Sequence, residues 1–137
     1  MSDLTDYTEQ VFRDWMSQGT SAPTPPDPLY IALHTADPGE TPDGTTEVSA
    51  SNYSRESLGS SNWGTLTQNN AHAFQNATDV TYQVASSNWG TISHVSLWDG
   101  SSDTDNSLAS FALNNSKTIE SDDQVKFPSG NLTFEIA

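Results

Sequence analysis

Hydrophobic positions along this chain follow two different periods, and the change between them falls at a run of prolines. Leu4, Tyr7, Val11, Phe12 and Trp15 are separated by steps of 3, 4, 1 and 3, which places them on one stripe of an α-helix. The spacing predicts a helix over residues 3–17. Ser2 or Asp3 is expected to cap its start, Asp3, Asp6 and Glu9 to face the positive end of its dipole, and Gly19 to stop it. A helix of about fifteen residues spans about 22 Å and is marginal in water by itself. Its aromatic stripe therefore needs a surface to dock on, either the body of the same chain or a neighbouring subunit. Residues 20–28 hold four of the seven prolines, a density that forbids further helix and favours an extended, semi-rigid strut.

From Leu29 the period drops to two. Leu29, Ile31 and Leu33 alternate with Tyr30, Ala32 and His34, which predicts a half-buried strand. Residues 36–46 form a polar loop with turn signals at Asp37-Pro38-Gly39 and Pro42-Asp43-Gly44. Further strands are expected over 53–58, 64–67 and 71–74, along one face carrying Val80, Tyr82 and Val84, over 92–98, and over 108–113 before a turn at Asn114–Ser116. A terminal hairpin is expected from residues 124–127 and 132–136 across the turn at 128–131. Eight or so short strands at this spacing imply a mainly β protein, an antiparallel β-sandwich of jelly-roll-like type with one N-terminal α-helix. The organisation is then a helix over 1–19, a Pro-rich linker over 20–28 and a β-sandwich domain over 29–137. One segment recurs: Ser60-Ser61-Asn62-Trp63-Gly64 returns as Ser86-Ser87-Asn88-Trp89-Gly90. Such a pair reads as two equivalent corners of a sandwich, each indole closing one end of the core. The alternative is a pair of exposed aromatic platforms.

Composition narrows the function. The chain has 137 residues, 18 carboxylates against four Lys and Arg, and a net charge of −14. It also carries 20 Ser, 16 Thr and 10 Asn, while its hydrophobic content is 33%. A field of that sign repels nucleic acid and anionic lipid surfaces. No run approaches the roughly 20 apolar residues of a membrane span, and no basic, apolar leader opens the chain. The absence of Cys removes disulfides, thiolate nucleophiles and Cys-based zinc sites. Thirteen aromatic residues within periodic segments argue for a folded domain rather than a disordered one. Short polar side chains and abundant carboxylates stay hydrated in concentrated salt, where screening suppresses self-repulsion, a composition expected of a halophile's protein.

Candidate chemistry is sparse. His34, His72 and His94 are the available imidazole bases, but no Gly-x-Ser-x-Gly elbow accompanies them and no Gly-rich phosphate loop occurs. Asp99, Asp103, Asp105 and Asn106 share one loop, and Asp37, Glu40 and Asp43 another. Oxygen ligands of that type suit Ca²⁺, but the spacing matches no EF-hand, and solvated turn residues are the expectation. Neither a metal nor a cofactor is expected. Asn52, Asn76, Asn114 and Asn131 begin Asn-x-Ser/Thr sequons, a number that this Ser/Thr content produces largely by chance.

The ordered blocks of the chain are more telling. The Pro-rich joint precedes Leu29-Tyr30-Ile31-Ala32-Leu33-His34-Thr35-Ala36-Asp37-Pro38, then Glu47-Val48, Tyr53-Ser54-Arg55, Trp89-Gly90-Thr91-Ile92-Ser93-His94-Val95-Ser96-Leu97-Trp98-Asp99, Lys117-Thr118 and Leu132-Thr133-Phe134. In this order they resemble a family of short tailed-phage virion proteins of the tail fibre or tail protein kind, and the acidity adds a haloarchaeal tailed virus as host particle. The resemblance implies a non-enzymatic structural protein on the external surface of the virion, in a tail fibre, baseplate or capsid-vertex turret. Its partners would be other virion proteins and copies of itself, as a trimer in a fibre or a pentamer at a vertex. The anchor or oligomer interface would comprise Leu4, Tyr7, Val11, Phe12 and Trp15, each large side chain contributing about 1.5–3 kcal/mol on burial. An alternative role is a module for host-surface glycan, with Trp63, Trp89 and Trp98 stacking on sugar faces and Asn62, Asn88 and Asp99 bonding hydroxyls.

Overall fold

A computed structural model of the chain describes residues 3–68 and 71–136. The strands are β1 (Asp3–Leu4), β2 (Leu29–His34), β3 (Glu56–Leu58), β4 (Trp63–Gln68), β5 (Ala71–Asn76), β6 (Val80–Thr81), β7 (Gly90–Trp98), β8 (Ser107–Ile119), β9 (Lys126–Phe127) and β10 (Thr133–Ile136), and the helix is α1 (Asp6–Ser17). They form a five-stranded sheet in the order β1-β8-β7-β2-β3, a three-stranded sheet β10-β5-β4 and a two-stranded ribbon β6-β9. Every pairing is antiparallel. The protein is thus mainly antiparallel β with one N-terminal helix, a β-sandwich as the sequence implies.

The core lies between the sheets. Ile31 pairs with Leu97 and Leu33 with Val95 across β2 and β7, and all four side chains are buried. Phe134 of β10 closes on them from the opposite sheet, its ring edge-on to Phe111 at 4.8 Å. Beside the β6-β9 ribbon, Tyr82 follows β6 and covers one side, its hydroxyl donating to the Ile31 carbonyl at 2.6 Å.

Strand β2 departs from the half-buried expectation, because Ala32 and His34 on its other face are as buried as Ile31 and Leu33. The cause is a roof over the outer face of the sheet. The loop after β2 folds back on its own strand, Thr35 N–H to the Thr46 carbonyl and Val48 N–H to the Leu33 carbonyl, and the 99–106 loop meets it from β7.

Four further expectations are corrected. The helix starts at Asp6 rather than residue 3, and Thr5 is its cap. Asp3 and Leu4 are extended instead and pair with Ser110 and Ala109. The Thr5 hydroxyl is buried and donates to the Ser107 carbonyl at 2.5 Å, so the sheet edge fixes where helix can begin; Ser2 lies outside the described residues. Asn114–Ser116 is no turn between strands, since β8 runs through it. Ile92 pairs with Lys117 and His94 with Ala112, so Leu113–Ser116 stand opposite Ser93 alone as a wide bulge. The last two strands form no hairpin: β9 pairs with β6 and β10 with β5. Asn76 separates them, its amide nitrogen donating to the carbonyls of Thr78, Phe127 and Pro128 while its oxygen accepts from Leu132 N–H. Finally, Val80 and Tyr82 are buried but Val84 is 51% exposed, because regular pairing of β6 ends at Thr81.

Candidate functional site

Two features set this molecule apart from a bare sandwich: a helix with an uncovered aromatic stripe, and a buried cation beneath the roof. The helix is held by its first turn. Thr5 caps it, Asp6 N–H donates to the Glu40 carbonyl, and the Thr8 hydroxyl donates to the Leu108 carbonyl at 2.8 Å. Gly19, at φ +67°, then ends it in a left-handed conformation that suits glycine. Leu4 packs against the core from β1, and Val11 is half-buried. Tyr7, Phe12, Trp15 and Met16 are left 41%, 38%, 47% and 73% exposed. A groove of about 300 Å³ runs between this face and the proline strut, lined by Tyr7, Val11, Phe12, Pro23, Pro25 and Pro26. The stripe predicted from spacing therefore docks only in part, and its large rings stay 38–47% exposed.

The roof is held by Arg55. Its guanidinium contacts the Glu47 carboxylate through Nε and Nη2, the closest approach being 2.7 Å, and reaches Asp103 at 2.9 Å. It also donates to the carbonyls of Gly100 and Ser102, both at 3.0 Å, and lies 3.9 Å from the centre of the Trp98 ring. Tyr53 completes the array, donating to Glu47 at 2.8 Å while accepting from Leu33 N–H. Burial pushes the Tyr53 phenol far above its ordinary range, so it remains a donor. Close approach of the two loops depends on Gly44 at φ +88°, where a Cβ would sit 2.4 Å from the Asp103 carboxylate carbon. Glu47-Val48, Tyr53-Ser54-Arg55 and Trp98-Asp99, scattered in sequence, thus meet in one clamp. Spacing gave no sign of this role for Arg55; the available signal was a rare cation within an aromatic-rich, strand-forming segment.

The roof also accounts for the acidic loops. Asp103 faces Arg55, Asp105 accepts from Ser102 N–H, and Asp99 holds Asn106 through both its backbone and its amide. Asp37 and Asp43 accept from Gly39 and Thr45 N–H. These carboxylates act as turn-forming acceptors, and no cluster of acid and imidazole groups suited to a metal occurs among the described residues.

The imidazoles are structural in setting. His34 Nε2 lies 2.6 Å from Ser96 Oγ and Nδ1 2.9 Å from Thr46 Oγ1, but His34 and Ser96 are both fully buried. Among the described residues no carboxylate is hydrogen-bonded to that pair. Desolvation, reinforced by the charge of Arg55, lowers the His34 pKa to about 4 and keeps it neutral. His94 bonds its neighbour Ser93, and His72 is exposed.

The candidate indoles lie in or against the core. Trp98 is fully buried, with Nε1 donating to Ser96. Trp89 is 4% exposed and donates to the Asn52 oxygen, while its ring meets Tyr53 edge-on at 5.3 Å. Trp63 is half-buried against Phe74 and donates to the Leu58 carbonyl. Rings placed like Trp89 and Trp98 offer no open face to a sugar. Among the sequons, Asn52 and Asn76 have their amide nitrogens engaged by backbone carbonyls, whereas Asn114 and Asn131 are exposed.

A sandwich stiffened by internal clamps, carrying an uncovered aromatic face on a pinned helix, has the features of a structural assembly module. The profile of the family described as podophage GP4 fiber I protein gp80 matches residues 3–135. The chain belongs to that family and is a phage tail-fibre structural protein, a component of the virion. Comparison with curated proteins gives no match.

Proposed function

We propose that this chain is a non-enzymatic module on the outside of the virion that assembles with copies of itself, and with other virion proteins, through the face of α1 and the neighbouring prolines. The observation that carries this reading is the exposure of Tyr7, Phe12, Trp15 and Met16 on a helix whose first turn is fixed to β8. A monomer gains nothing from such a face, whereas burying these side chains contributes several kcal/mol per chain at about 1.5–3 kcal/mol each. The prolines add a preformed wall that loses little entropy on association. Three-fold symmetry is the arrangement that a fibre favours over the five-fold symmetry of a vertex turret. The net charge of −14 disfavours contact with packaged DNA, which supports an external position, and it suits the salt-rich medium of a halophilic host, such as a haloarchaeon.

Sedimentation of the full chain in molar salt tests the assembly. The wild type should run as a closed oligomer, and the Phe12→Ser/Trp15→Ser variant as a monomer with unchanged near-ultraviolet dichroism from the core. A monomeric wild type at tens of micromolar, or a variant that still assembles, rejects the role of the helix.

A further inference from the structure

We propose that the groove beside the β8 bulge is a binding site for an acidic saccharide, a sugar bearing a carboxylate. This site is remote in sequence from the α1 stripe and does not depend on it. The groove holds about 380 Å³, within the range of about 300–1,000 Å³ common to small-molecule sites. Its apolar lining comes from Ile92, Leu113, Val125 and Phe127, and Asn114, Asn115 and Asn131 add amides; the Gln124 amide, which also lines it, donates to the Tyr82 carbonyl. Two lysines, Lys117 and Lys126, line it as well.

The distribution of charge carries the argument. The chain has only four Lys and Arg against 18 carboxylates, yet two of the four border this one groove and no carboxylate is among its described lining residues. Lys126 pairs with Asp79 at 3.0 Å, but both side chains are about half exposed, so a ligand carboxylate can compete for the ammonium. Lys117 is exposed and has no ion pair among the described residues. Each asparagine amide both donates and accepts, the capacity that a ring of hydroxyls requires, and the apolar lining suits the C–H face of a pyranose. The bulge is what brings the parts together. By inserting Leu113–Ser116 opposite Ser93, β8 carries Asn114 and Asn115 to the rim while Lys117 returns to register with Ile92. Bulges commonly re-aim side chains at such sites.

The test is titration of the full chain, at the lowest salt at which its dichroism shows it folded, with tetragalacturonic acid, a hyaluronan tetrasaccharide and sialyllactose, each paired with its methyl ester and read by calorimetry. At least one acid should bind with millimolar affinity or better, and its ester about tenfold more weakly or worse, because the charge-assisted bond is lost. Lys117→Gln and Asn115→Ala should each weaken binding several-fold while the melting temperature stays put, since both side chains are exposed. Failure of all three acids to bind, equal binding of acid and ester, or indifference to both substitutions overturns the assignment. So does a sedimentation shift in Lys117→Gln without any sugar binding, which would mean that the groove takes an acidic loop of a second copy.

Discussion

Replacing Arg55 with Ala should be the most damaging single change to a charged residue in this molecule. The Arg55 side chain is 2% exposed and that of Glu47 8%, so the substitution strands a buried carboxylate. It also removes the donor from the Gly100 and Ser102 carbonyls and the cation from the Trp98 face. Breaking a buried ion pair from one side costs about 3–5 kcal/mol, and a desolvated cation–π contact adds up to about 2 kcal/mol. These effects overlap, and the stranded Glu47 can take up a proton or water. The net expectation is about 4 kcal/mol, or a fall in melting temperature of roughly 10–20 °C for a domain of this size. Asp103 provides the internal control: its side chain is 63% exposed, so Asp103→Asn should cost less than about 1 kcal/mol. Urea titrations followed by tryptophan fluorescence measure both, and hydrogen exchange should show faster opening of residues 36–46 and 99–106 in Arg55→Ala. A loss below about 1 kcal/mol for Arg55→Ala, or equal losses for the two variants, refutes the clamp.

Three further outcomes follow from the same structure. His34 is held neutral with a pKa of about 4 against an ordinary 6.5, so its contribution to stability is complete above pH 6.5 and is lost as pH falls towards 4, about 3 kcal/mol in all. Urea midpoints between pH 7 and 4.5 measure this, and a slope that is not reduced in His34→Gln excludes His34 as its source. Asn76→Ala removes a donor from the Thr78, Phe127 and Pro128 carbonyls and the acceptor from the Leu132 N–H, so chemical denaturation should show a loss of about 2–4 kcal/mol; a change under about 0.5 kcal/mol would show that water replaces the amide. With a net charge of −14, thermal stability should rise between about 0.05 and 2 M salt as self-repulsion is screened, and a melting temperature indifferent to salt would rule out self-repulsion as a significant cost.

Periodicity alone determined much of the layout. Steps of three and four located the helix and the residues of its stripe, and the prolines marked its separation from the first long strand. Alternation marked β2, because burial of a strand face is written in residues two apart, while burial of its second face came from the roof. At the Trp-Gly echo the structure buries the Trp89 indole and half-buries that of Trp63. What tertiary structure decided is where each segment goes and what covers it. Thr5 rather than Ser2 or Asp3 caps the helix because the edge of β8 had already engaged the two residues before it. Asn114–Ser116 became a bulge because Lys117 and Ile119 resume pairing with β7 beyond it. The last strands went to different sheets because Asn76, some 50 residues earlier in the chain, holds the turn between them. Arg55 shows the limit most clearly: its partners lie in two loops and at the end of β7, and their convergence follows only once the outer face of the sheet has been covered. Local spacing records which side chains leave water, whereas partner and register depend on distant segments arriving together.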